Sequence, residues 1–160
     1  MNSIHETVDL ICPFLNKKKV QVDKKIAPLI KRMWELKLET MMSCEDNNPK
    51  DWIWICFTYP KTAEIFLRLI LRNCPEDLAK RITRGNRNPF SRLHDVDKNN
   101  WKYHLCVDEL KNKFFGFNLS VRFPQTDLKE VTNTLNDPDL DFLDLETFGK
   151  NGIFIPEWEG

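Results

Sequence analysis

A chain of 160 residues carries 24 basic and 24 acidic side chains and no net charge, which argues against the strongly basic class of nucleic-acid binders. A single domain of this length buries roughly 70% of the surface its unfolded chain would expose, so neither staple nor metal is needed for stability. No apolar run approaches the ~20 residues that cross a bilayer, and the N-terminus MNSIHETVDL lacks the basic-then-apolar layout of a signal peptide; a soluble, intracellular protein with no membrane partner is expected.

Ser3-Ile4-His5-Glu6 has the S-x-x-E form of a capping box and predicts a short N-terminal helix. Ile4, Val8, Ile11 and Leu15 lie on one side of it, and Pro13 weakens its last turn. Val20-Gln21-Val22 reads as a short strand, with Asp23 placed to cap a second helix. That helix runs from about Lys25 to Leu38, with Ile26, Leu29, Ile30, Met33 and Trp34 on its apolar stripe and the lysines and Arg32 opposite. Pro28 moves its regular start to Ile26 or later.

The segment from Thr40 to Cys74 reads as strand, turn, strand, helix, and the rest of the chain is expected to pack on it. Trp52 to Phe57 is apolar on both alternating faces, the pattern of a central strand. Asn47-Asn48-Pro49 supplies a turn that folds Met41 to Glu45 back antiparallel to it. Pro60 opens a helix carrying Ala63, Phe66, Leu67, Ile70 and Leu71, and Cys74-Pro75 closes it. Pro75 to Arg84 forms a short helix, and Gly85 to Asn100 an ordered loop rich in breakers.

Trp101, Tyr103, Leu105 and Val107 alternate with polar residues, as do Phe115, Phe117, Leu119, Val121 and Phe123. These predict two half-buried strands joined at Lys111-Asn112-Lys113. Thr126 or Asp127 caps a helix bearing Leu128, Val131 and Leu135 that stops at Asn136-Asp137-Pro138. In the tail, apolar residues alternate with acids, and Asn151-Gly152 offers a hairpin turn into Ile153-Phe154-Ile155. The order implies one α+β domain over residues 1–160, with 136–160 a docked acidic-apolar extension. Its frame is a mainly antiparallel sheet of about four or five strands with helices on one face, a ferredoxin-like βαββαβ arrangement with an N-terminal helix and a C-terminal hairpin added.

Chemistry is sparse. The five cysteines have no CxxC spacing and read as reduced core residues. No glycine-rich phosphate loop, H-E-x-x-H or G-x-S-x-G occurs, so no catalytic residue, cofactor or small-molecule ligand is assigned. Cys44 with His94 or His104 is the one Cys/His enzyme reading, set back by the acids Glu45 and Asp46 beside the thiol. His104, Cys106 and Asp108 share a strand face but match no zinc signature, so no metal is assigned either. Basic residues gather in 16–37 and 80–92 and acids in 136–160. Arg81, Arg84, Arg87 and Arg92, with Phe90 among them, make nucleic acid the alternative partner. Trp52, Trp54 and Trp158 are candidate anchors for a protein partner or for self-association.

Residues 26–57, IAPLIKRMWELKLETMMSCEDN followed shortly by WIWICF, resemble a segment found in hypothetical proteins of bacteria, phages and large DNA viruses. Its pattern is an amphipathic helix ending in W-x-L, then T-x-x-S-C with an acid or amide, then an apolar strand. A glycine often precedes T-x-x-S-C in that pattern, where this chain has Lys37-Leu38-Glu39. The Asn-, Lys-, Asp- and Phe-rich texture is similar to that of proteins of large DNA viruses of amoebae, such as the marseillevirus group. The resemblance implies a viral protein in the host cytoplasm or nucleus, packaged in the particle. Together with the missing motifs, it favours a non-enzymatic interaction or structural protein.

Overall fold

The computed structural model describes residues 5–47, 50–84, 99–110 and 113–144. In chain order the elements are β1 (Thr7–Cys12), β2 (Lys18–Asp23), α1 (Ala27–Glu35), β3 (Thr40–Asn47), β4 (Trp52–Phe57), α2 (Pro60–Asn73), α3 (Glu76–Arg84), β5 (Lys102–Leu110), β6 (Lys113–Pro124) and α4 (Leu128–Leu135). Short 3-10 turns at Gln125–Asp127 and Pro138–Phe142 flank α4. The fold is α+β, with a four-stranded antiparallel sheet in the order β3-β4-β6-β5 and a two-stranded sheet β1-β2.

Strand β4 is apolar on both faces because it lies inside the sheet, paired with β3 on one edge and β6 on the other. Ile53, Ile55 and Phe57 point to the helices and join Val121, Phe123, Trp101, Phe66, Ile30 and Met33 in one core. Trp101 stacks on Phe123 with centroids 4.5 Å apart, and Phe57 meets Phe66 at 5.2 Å. Pro60 occupies the first turn of α2, and the helix ends before Cys74-Pro75, as the missing N–H of each proline dictates.

The N-terminal segment is a strand, not a helix. Val8, Leu10 and Cys12 turn inward while Thr7, Asp9 and Ile11 face solvent, and Val8 and Leu10 pair across with Val22 and Val20. Period two therefore overrides the local capping signal, because β2 already offers a matching apolar face and helix formation would leave it uncovered. The helical stripe would have buried Ile11 and Leu15, which are 63% and 54% exposed. Asn16 and Lys17 close the hairpin with φ of 50° and 58°, and the Lys18 N–H donates to the Leu15 carbonyl at 3.0 Å. Two consecutive left-handed residues give the twist that hairpin strands require.

A ferredoxin-like order would seat residues 18–23 beside β4. The twelve-residue β6 takes that place instead, since β2 buries one face only and cannot supply the two-sided burial of a central position.

Two side chains expected at the surface or at a cap turn inward. Asp23 does not cap α1, whose N-cap is Ile26; its carboxylate reaches β3 instead. Arg32, expected on the polar face of α1, is buried. Its Nε donates to the Leu135 carbonyl at 2.6 Å, Nη1 to Asp141 Oδ1 at 2.7 Å and Nη2 to the Asp137 carbonyl at 3.2 Å. One guanidinium thus satisfies carbonyls at the C-terminus of α4, where a cation is favoured, and ties down the start of the acidic extension. The proposed hairpin at 151–155 lies outside the described residues.

Helix α1 ends in a Schellman motif. The Leu38 N–H donates to the Met33 carbonyl at 2.8 Å and the Lys37 N–H to the Trp34 carbonyl at 3.0 Å, and Lys37 sits at φ 61°. Glycine is preferred at this position because it has no Cβ to meet the neighbouring carbonyl. Lys37→Gly should therefore stabilise the fold by about 1 kcal/mol, read as a rise in the urea midpoint at unchanged slope; a fall would show that Lys37 is held by contacts that outweigh its strained dihedral.

Candidate functional site

The face of the large sheet turned away from the helices carries cations over tryptophans. Lys102 Nζ lies 4.8 Å from the centroid of Trp52, and the Arg122 guanidinium carbon 5.9 Å from that of Trp54. Register explains both contacts, because Trp54 pairs with Arg122 and Arg122 with Lys102 across β4, β6 and β5. The Arg122 guanidinium also lies 3.3 Å from His104 Nδ1. Cys56, Asn118 and Ser120 complete the face and are buried, with Cys56 Sγ 3.7 Å from Asn118 Oδ1. Trp54 Nε1 is buried with no hydrogen-bond acceptor among the described residues, a costly arrangement for an indole N–H.

The arginine cluster divides. Arg81 is held within the molecule, pairing with Asp77 at 3.1 Å and with the buried carboxylate of Asp127. That carboxylate also accepts from Trp101 Nε1 at 3.0 Å, so Arg81 neutralises a buried acid instead of presenting its charge to a partner. Arg84 closes α3, with its side chain outside the described residues, as are Arg87, Arg92, His94 and Trp158. Trp52 and Trp54 are brought together on one face, though neither stands exposed. His104 and Cys106 are both exposed, and the side chain of Asp108 lies outside the described residues.

On the helix side, β5 and β6 continue past the core. Tyr103, paired with Val121, is covered, and its hydroxyl donates to the Ile82 carbonyl at 2.8 Å; burial pushes its pKa up. Farther along the same face, Leu105, Val107 and Phe117 are 59%, 58% and 46% exposed. Leu105 faces Leu119, and Val107 faces Phe117, so the exposed side chains form one apolar strip.

A third feature was not legible in the sequence. His5, just before β1, Asp23 at the end of β2 and Cys44 in β3 meet at the seam between the two sheets, with one donor atom of each within 4.8 Å of the others. His5 Nδ1 lies 3.3 Å from Asp23 Oδ2, which accepts the Glu45 N–H at 2.9 Å. Glu45 is buried. Its carboxylate accepts the Lys25 N–H at 2.8 Å and its carbonyl accepts from the Gln125 side chain. The three residues lie far apart in the chain; the β1–β2 hairpin brings His5 to Asp23, and the bond of Asp23 to the backbone of β3 brings both to Cys44.

The chain is similar to an uncharacterised protein of Acanthamoeba polyphaga mimivirus, 27% identical over 139 residues that cover 81% of this chain and 68% of that protein. No protein-family model matches the chain, and no solved structure matches it. No helix among the described residues is long and apolar enough to cross a membrane.

No disulfide joins the cysteines; Cys12 and Cys56 are buried, Cys44 and Cys74 half-buried and Cys106 exposed, so Cys106 departs from the expected core set. Burial pushes the Cys74 thiol up to about 11, which leaves roughly one part in a thousand as thiolate at pH 8. Alkylation followed by peptide mass mapping should label Cys106 first and Cys12 and Cys56 only on unfolding. Labelling of Cys74 should rise about tenfold per pH unit until near 11; early modification of Cys56 would instead reveal opening of the sheet.

Proposed function

We propose that this is a non-enzymatic interaction protein of a large DNA virus, acting through protein contacts made by the projecting part of β5 and β6. The observation that supports this reading is the apolar strip of Leu105, Val107 and Phe117 beyond the helices. Apolar side chains aligned on one strand face are a common signature of a contact surface, and each contributes about 1 to 2 kcal/mol when covered. Among the described residues β5 is the last strand in the sheet order, a position from which a partner can approach the strip from the side. The first partner to test is a second copy of the chain. The similarity to a mimivirus protein supports a source among the large DNA viruses of amoebae; the marseillevirus group and a place in the host cytoplasm, the nucleus or the particle belong to this reading as its narrower form.

A second reading rests on a different observation, the cation-over-tryptophan pairs Lys102–Trp52 and Arg122–Trp54. Lys102 and Arg122, held over indoles on one sheet face, are suited to the phosphates of single-stranded nucleic acid. Arg81 leaves this reading, because it is neutralised by Asp127 and Asp77; Arg84, Arg87 and Arg92 stay in it together with Lys102 and Arg122.

Light scattering across a concentration series separates the two. The first reading expects a dimer or larger species that the double variant Leu105→Asp, Val107→Asp returns to monomer with unchanged circular dichroism. An unchanged mass in that variant removes the strip as the contact. The second reading expects binding to single-stranded RNA or DNA that weakens steeply with salt and falls at least about tenfold in Lys102→Ala, Arg122→Ala; affinity indifferent to both substitutions removes it.

A further inference from the structure

The cluster at the seam of the two sheets contains an imidazole, a carboxylate and a thiol, and two chemistries use that set. In a nucleophile–base–orienter relay, the imidazole stands between the other two, with the thiol on one ring nitrogen and the carboxylate on the other. Thiol and carboxylate are then held apart by the ring. In His5, Asp23 and Cys44 the three donor atoms all lie within 4.8 Å of one another, so sulfur and carboxylate oxygen are neighbours as well. This convergent arrangement surrounds a point, as the ligands of a cation do.

We propose that His5, Asp23 and Cys44 form a binding site for a divalent transition-metal ion of the zinc class. The donor set selects the class, because nitrogen and sulfur ligands suit zinc-like ions, whereas magnesium and calcium demand oxygen. Bonds of about 2.0 to 2.3 Å in tetrahedral geometry put the donors about 3.3 to 3.8 Å apart, a modest contraction that side-chain rotation can supply. A tetrahedral ion takes one donor beyond these three.

The surroundings hold the ligands in place. The Glu45 N–H donates to Asp23 Oδ2 at 2.9 Å, the outer bond that orients a ligating carboxylate. Glu45 is in turn fixed by the Lys25 N–H and by Gln125, so the β3 backbone next to Cys44 is tied to both sheets. An ion here would join the β1–β2 hairpin to the large sheet and couple binding to stability. Because thiol and imidazole must give up protons to bind it, affinity falls as pH falls. The proposal is independent of the interaction surface on β5 and β6.

Titration of the purified full chain with Co2+, in a thiol-free reductant, tests it through the cobalt–thiolate charge-transfer absorption. The expected result is saturation at one Co2+ per chain, displacement of the signal by Zn2+ and its loss in Cys44→Ser. Affinity should also weaken at least about tenfold in His5→Ala and stay unchanged in Cys106→Ser, which removes the exposed thiol. No thiolate signal, a signal that persists in Cys44→Ser, or one that follows Cys106 overturns the proposal. Should Cys44→Ser lose its far-ultraviolet circular dichroism, His5→Ala decides, since its ring precedes the first strand; an unaltered titration there overturns the site equally.

Discussion

The two-sided burial of β4 is the constraint on which the other elements depend. A strand with Ile53, Ile55 and Phe57 on one face and Trp52, Trp54 and Cys56 on the other has to be covered twice. The helices, with Trp101, Val121 and Phe123, cover the first face. The second is covered by long side chains of its own sheet, with Lys102 over Trp52 and Arg122 over Trp54. Cations lying over indoles allow a polar surface to shield apolar rings, because the alkyl stems pack while the charged heads remain hydrated. The same residues that complete the fold therefore make the chemistry of the outer face.

One arginine from each basic stretch is taken up by the fold. Arg32 of the basic N-terminal third reaches Asp141 and two carbonyls around the end of α4, and Arg81 of the second basic stretch reaches Asp127. Buried and half-buried guanidinium groups of this kind are costly to strand and so fix the relative placement of the elements they join. An uneven distribution of charge in sequence is accordingly a poor guide to an external electrostatic partner. Among the described residues an apolar strip on β5 and β6 stays exposed, on a face whose inner half is core.

Asp23 illustrates how local signals are redirected. Before a helix an aspartate is a ready N-cap, yet here its carboxylate accepts the Glu45 N–H of β3. That bond exists because β1 and β2 form a hairpin and dock beside β3. Had residues 4–15 been helical, His5 would not lie next to Asp23. Misreading the period of the first segment thus concealed the His5–Asp23–Cys44 cluster, and no spacing rule could recover it from three residues contributed by three separate strand regions.

Several features were determined by the sequence itself, because their causes are local: the two-faced apolar run of β4, the hairpin with β3, the proline boundaries of α2, the alternation of β5 and β6 and the stop after Leu135. Periodicity and the missing N–H of proline act within a few residues and need no partner. Tertiary structure alone decided which strand lies beside β4, that the N-terminal segment is a strand, that Arg32 and Asp127 are buried, and that His5, Asp23 and Cys44 converge. Each of these depends on which apolar face is left to be covered, a quantity set by the rest of the chain and not by neighbours in sequence.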